Sequence, residues 1–137
     1  TDKTVLSNNN FDMAHVLTGE INASGKATGY HAEVASNGAA RITPGAAVTQ
    51  NPNGTYTAPV QIWNEATLSW VDKKGISTFF PLSWSEARIA YEVAEAFKKK
   101  IPNPAGGWNG TTVGGIGIQF YWDVKNQRTT FYPLGKP

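Results

Sequence analysis

TYTAPVQIWNEATLSWVDKKGISTFFPLSWSEARIAYEVAEAFKKK, residues 55–100, carries the change of hydrophobic period that sets the fold class. Thr55 to Trp63 alternates small polar and apolar residues after the turn Pro52-Asn53-Gly54, as a half-buried strand does. Ala66 to Val71 follows within hairpin distance. Beyond the turn Asp72-Lys73-Lys74-Gly75, Ile76 to Phe80 makes a third short strand, so an antiparallel meander is the simplest arrangement. The period then lengthens. Ser83-Trp84-Ser85-Glu86 has the spacing of a capping box, and Trp84, Ile89, Tyr91, Val93, Ala94 and Phe97 form one broad apolar face over residues 84–99. Lys98 to Lys100 places cations where a helix C-terminus favours them, and Ile101-Pro102-Asn103-Pro104 stops the helix.

Working outward, Gly115 to Asp123 and Arg128 to Tyr132 read as two more strands, joined by the turn Val124-Lys125-Asn126-Gln127. On the N-terminal side, residues 33–50 read as loop and weak strand around a Thr43-Pro44-Gly45 turn. Asn22-Ala23-Ser24-Gly25 is a turn, and Phe11 to Leu17 winds as a short helix with Asn10 or Asp12 near its cap. Residues 1–10 form a polar, peripheral leading segment. The expected class is α+β: one domain over residues 1–137, of antiparallel sheet with a few packed helices.

Composition narrows the chemistry. A chain of 137 residues with 40% hydrophobic and 16% charged residues is an ordered domain, not a disordered tail. No apolar run approaches the roughly 18–20 residues needed to cross a bilayer, and Thr1-Asp2-Lys3-Thr4 does not open like a signal peptide. Zero cysteines exclude disulfides, thiolate metal sites and a cysteine nucleophile. Twelve basic against ten acidic residues permit a polyanionic partner without demanding one. The glycine-rich stretches match no phosphate-loop pattern, and two histidines alone make no metal cage, so no cofactor is expected.

His15 and His31 are the side chains whose unperturbed pKa lies near neutral, and such a pair can serve as acid and base at one bond. On composition alone the commoner role is a half-buried, hydrogen-bonded structural histidine. Lys73 and Lys74, on the turn entering a strand, could offset charge on a phosphoryl group, although paired turn lysines are usually solvated. Thr130 and Tyr132 lie two apart on one strand face, where a hydroxyl and an aromatic ring could hold a nucleobase, or simply pack. Trp63, Trp70 and Trp84 read as packing residues. Trp108, in the glycine-rich run 105–110, reads as part of a mobile lid or a contact surface.

Several motifs together resemble the EndoU superfamily of RNA endonucleases, most closely its bacterial toxin branch. His15-Val16-Leu17-Thr18-Gly19-Glu20-Ile21 is similar to the family's His-x-x-x-Gly-Glu-Ile run, and Gly29-Tyr30-His31 to its Gly-aromatic-His at the usual separation. Lys73 to Pro81 looks like the family's lysine and following strand, and Thr130-Phe131-Tyr132-Pro133 like its Ser/Thr-x-Tyr element. Ala14 stands where some members carry a glutamate. Glu20 is retained, and reads as a local structural acceptor.

The resemblance implies a metal-independent endoribonuclease that cuts after uridylate by attack of the ribose 2′-hydroxyl, leaving 2′,3′-cyclic phosphate and 5′-hydroxyl ends. It implies His31 as base, His15 as acid, Lys73 or Lys74 as the stabilising charge, and Thr130 and Tyr132 around the base. It further implies a monomeric C-terminal domain of a contact-dependent inhibition or similar effector, secreted or displayed at the cell surface. Such a domain is delivered to the cytoplasm of a target bacterium, attacks RNA, tRNA above all, and is blocked by a cognate immunity protein. The alternatives are a non-catalytic RNA-binding or protein-interaction module, and a hydrolase of a different phosphodiester.

Overall fold

The structure, a computed structural model, describes residues 11, 13–33, 36 and 38–135, with the side chains of Ala14 and His15 outside that description. The leading segment and the two candidate caps Asn10 and Asp12 also lie outside it. Helix α1 (Met13–Thr18) is followed by β1 (Glu20–Ile21), β2 (Ala27–Thr28), β3 (Ala40–Ile42), β4 (Thr49–Gln50) and β5 (Tyr56–Ala58). Then come β6 (Val60–Asn64), β7 (Ser69–Asp72), β8 (Ser77–Phe79) and the long helix α2 (Glu86–Lys98). Strands β9 (Ile101–Pro102), β10 (Trp108–Thr111), β11 (Gly117–Asp123) and β12 (Arg128–Pro133) complete the order. The α+β class is the one expected: every strand pairing is antiparallel, in sheets ordered β1-β2, β12-β11-β10-β9, β3-β6-β7 and β4-β5-β8.

The central strands are not a simple meander. Pro59 has no N–H to give a ladder, and the chain changes sheets there. Its carbonyl accepts from Thr43 N at 2.9 Å, while β5 pairs with β4 and β8, and β6 pairs with β3 and β7. Thus β7 and β8, neighbours in sequence, lie in different sheets, and the Lys73-Lys74-Gly75 turn spans the gap. Residues 65–68, expected in part as strand, form the β6–β7 turn, with Leu68 at φ 52°.

Helix α2 begins later than the capping-box spacing suggests. Trp84 N donates to Pro81 O at 3.0 Å, closing a turn over residues 81–84, and Trp84 is buried against Phe80. Ser85 is the cap instead: its backbone is extended and its hydroxyl accepts from Arg88 N at 3.1 Å. The glycine-rich run around Trp108 is no lid. Trp108 starts β10 and packs partly buried against the main core. Gly110 serves close packing, since a Cβ there would lie 2.4 Å from the Ala96 carbonyl oxygen of α2. Trp63 and Trp70 are half-exposed, edge to face at 5.4 Å, with Arg41 over Trp70.

Two buried clusters hold the fold. One gathers Val16 and Leu17 of α1, the inner face of α2, and Ile118, Phe120 and Phe131 of β11 and β12. The other gathers Tyr30, Tyr56, Val60, Ile62 and Phe79. Residues 30–32 and 79–80 each bridge the two, because Tyr30 and Phe79 enter the second cluster while Ala32 and Phe80 enter the first. His31 emerges at that seam.

Candidate active site

The seam is built from backbone first. Gly29 and Tyr30 sit consecutively in the left-handed region, at φ 80° and 72°. For a non-glycine residue that costs roughly 1–3 kcal/mol, so the surroundings must hold it. They do so through the ring of Tyr30, buried edge-on against Phe79 at 5.0 Å, with Phe79 in turn stacked on Tyr56 at 4.9 Å. Beyond this bend His31 N donates to Val16 O, and Phe80 N donates to His31 O, each at 2.9 Å. The end of α1 and the end of β8 therefore clamp the same residue, and α1 is the helix that carries His15.

A short bond helps to orient the His31 ring. Its Nδ1 lies 2.7 Å from Thr78 O, and a carbonyl only accepts, so Nδ1 carries the hydrogen and the lone pair of the neutral ring falls on Nε2. The residue is 8% exposed. Its ring stacks with Tyr132 at 6.1 Å and 27°, and Tyr132 stacks with Tyr121 at 6.0 Å and 26°. Burial, with the nearby Tyr121 hydroxyl, pushes the Tyr132 phenol up to about 12, so near neutral pH it is a neutral hydroxyl.

Lys73 approaches from β7. Its backbone N donates to Val60 O at 3.0 Å and it bridges to Ala27, which turns the side chain inward. There Nζ donates to Ser77 Oγ at 2.8 Å and to Gly29 O at 3.1 Å. Desolvation lowers its pKa to about 8. Lys74, one residue on, is exposed on the turn.

Beside this centre lies an open cleft of about 260 Å³ between the β1–β2 and β11–β12 hairpins. Thr130 and Tyr121 form part of its wall, with Thr28, Asn22 and Asn126. Arg128 makes its polar floor, with Nη2 2.6 Å from Glu20 Oε1 and Nε 3.2 Å from Asp123 Oδ2. Among the described residues two carboxylates meet this one guanidinium, which leaves that part of the floor formally negative. Such a cleft suits an uncharged, planar, hydrogen-bonding group better than a phosphate.

Comparison with known proteins fits this arrangement. The family model for bacterial EndoU nucleases matches residues 9–135. The chain belongs to that family. It is also 32% identical over 121 residues to a protein named "Toxin" from Bacillus cereus (strain ATCC 14579), an alignment covering 88% of this chain and 22% of that protein. No solved structure shows significant similarity to it.

In this EndoU chain the expected site residues converge unevenly. His31 stacks on Tyr132 and is bonded to Thr78 of β8, Lys73 is bonded to the adjacent Ser77, and Thr130 lines the adjoining cleft. His15 lies in α1 immediately before Val16, whose carbonyl holds the His31 amide; its side chain is outside the description. Glu20 is an acceptor for Arg128, 108 positions away, and not the local acceptor that its sequence context suggested. Sequence reasoning missed Ser77, Tyr121 and Arg128. Tyr121 could have been found from register, because it lies directly opposite Thr130. Arg128 could not, since its partner Glu20 stands 108 positions away.

Proposed function

We propose that this chain is the toxic nuclease domain of a longer effector, an endoribonuclease that cuts RNA after uridylate and leaves 2′,3′-cyclic phosphate and 5′-hydroxyl ends. The observation that carries the reading is the pairing of consecutive β8 residues with the two key groups: Ser77 binds the Lys73 ammonium and Thr78 binds the His31 ring. His31, with its lone pair on Nε2, takes the proton of the ribose 2′-hydroxyl. His15 returns a proton to the departing 5′-oxygen. Lys73 offsets the charge that builds on the phosphoryl oxygens. Tyr132 packs the ribose, and the base enters the cleft beside Thr130.

The target is RNA of the recipient cell, with tRNA the first substrate to try, and a cognate immunity protein shields the producer by covering this face. The domain acts in the cytoplasm of the target bacterium. Among the described residues no helix is long and apolar enough to cross a membrane.

The test uses the purified chain with EDTA, bacterial tRNA and a uridine-containing oligonucleotide, reading product ends by mass. Cyclic-phosphate fragments ending in uridine are expected, with His31→Ala slower by roughly 100-fold or more. RNA left intact with and without added manganese would overturn the reading in favour of a binding module.

A further inference from the structure

A flexible lysine is useful at a phosphate only if its charge is held where the reaction needs it, and the groups holding Lys73 are themselves ordered. Gly29 O can only accept and the Lys73 ammonium can only donate. The Ser77 hydroxyl does both: it accepts from Nζ at 2.8 Å and donates to Gly29 O at 3.3 Å. Nζ also reaches the same carbonyl at 3.1 Å, so three groups close a ring of hydrogen bonds whose directions are fixed.

Ser77 is 0% exposed, so no bulk water stands by to replace its hydroxyl. The carbonyl at the other corner belongs to Gly29, the left-handed residue at the start of the bend that delivers His31. We propose that Ser77 is a positioning residue for Lys73, fixing its ammonium in register with His31, whose ring is anchored on the next residue of the same strand.

The neighbouring charges leave this task to Ser77. Asp72 turns to the other face, where its Oδ1 accepts from Gln61 Nε2 at 2.9 Å, and Lys74 is exposed. From β8 the site receives the Thr78 carbonyl, which His31 occupies; from β5 the packed phenol is Tyr56, bonded to Glu33 at 2.7 Å. The lowered Lys73 pKa has desolvation as its cause, and the acceptors that hold the ammonium among the described residues, Ser77 Oγ and Gly29 O, are neutral.

The inference rests on Lys73 as the charge that meets the phosphate, and its test separates the two claims. Ser77→Ala is compared with the unmutated chain for cleavage of a uridine oligonucleotide across pH, and for Lys73 titration followed by NMR of labelled lysine side chains. The expected result is a loss of roughly tenfold or more in kcat with KM little changed. The alkaline limb and the Lys73 titration should both move to lower pH, because the ammonium has lost an acceptor.

Ser77→Thr and Ser77→Val differ by a hydroxyl at nearly constant shape: Thr should retain the titration and Val should lose it. An unmoved titration and undiminished kcat in Ser77→Ala, or equal behaviour of Thr and Val, would overturn the proposal. If the variants do not fold, the unmutated chain decides: a slowly exchanging Ser77 hydroxyl proton close to the Lys73 side chain is required, and its absence is equally fatal. Absence of any RNA cleavage by the unmutated chain would sink the nuclease reading instead, with the NMR comparison still deciding the role of Ser77.

Discussion

Lys73 and Lys74 show how a single residue of register decides chemistry. Adjacent lysines on a turn are equivalent in sequence, but backbone pairing of Lys73 with Val60 and Ala27 sends only its side chain inward, towards Gly29 and Ser77. No local pattern encodes that choice, because both backbone partners lie more than ten positions away in the chain. His31 is more legible, since the left-handed bend that aims it is announced by Gly29. Ser77 is illegible: a serine in a strand looks the same whether it faces water or an ammonium. The sign of the Lys73 shift gives a prediction. Burial disfavours the charged form, so the ammonium is present below about 8 and lost above it. In its proposed role as a charge donor to the transition state, it should make kcat/KM fall as pH rises past about 8, and Lys73→Arg, charged throughout, should carry that limb to higher pH. A limb that stays in place in Lys73→Arg would assign it to another group.

At the scale of elements, α2 and the β11–β12 hairpin are written plainly, because an apolar stripe and a strand–turn–strand period are local signals. The break between β5 and β6 is not. Pro59 reads as a tolerable interruption of one alternating run until the pairing partners are known, and those are β8 on one side and β3 and β7 on the other. Glycine misleads in the opposite direction. Gly107 and Gly110 suggest a loop, yet both are places where other backbone comes too close for a side chain: a Cβ would fall 2.1 Å from Phe120 O and 2.4 Å from Ala96 O. Gly110→Ala must therefore push α2 from β10, and overpacking of this kind costs about 1–3 kcal/mol. Thermal or urea unfolding should show the loss, while the folded fraction keeps its activity, because α2 contributes no side chain to the site. A variant as stable as the parent would show that the helix–sheet contact yields easily.

Across the whole molecule, the site occupies the line where two cores meet. Tyr30 and Phe79 belong to one, Ala32 and Phe80 to the other, and His31 and Thr78 are held between them. Position is thereby set by two independent packing units, which short strands alone would not achieve. The cleft joins distant parts of the chain in the same way, through Arg128 between Glu20 and Asp123. Arg128→Met should cost about 1 kcal/mol of stability, the bridges being partly solvated. It should also blur discrimination among bases more than it slows cleavage at the preferred one, measured as kcat/KM over oligonucleotides differing at the base before the cut. Unchanged discrimination would remove the cleft from base recognition.

The central claim, that the reacting nucleophile is the ribose 2′-hydroxyl, is tested most directly with two oligonucleotides identical except for a single 2′-deoxyuridine in place of the uridine at the cut. Incubated with the chain in EDTA, the all-ribose strand should yield a 2′,3′-cyclic phosphate after that uridine and the substituted strand should survive there. Cleavage at the deoxyuridine would contradict the account, because that bond cannot be broken by a hydroxyl that is not there.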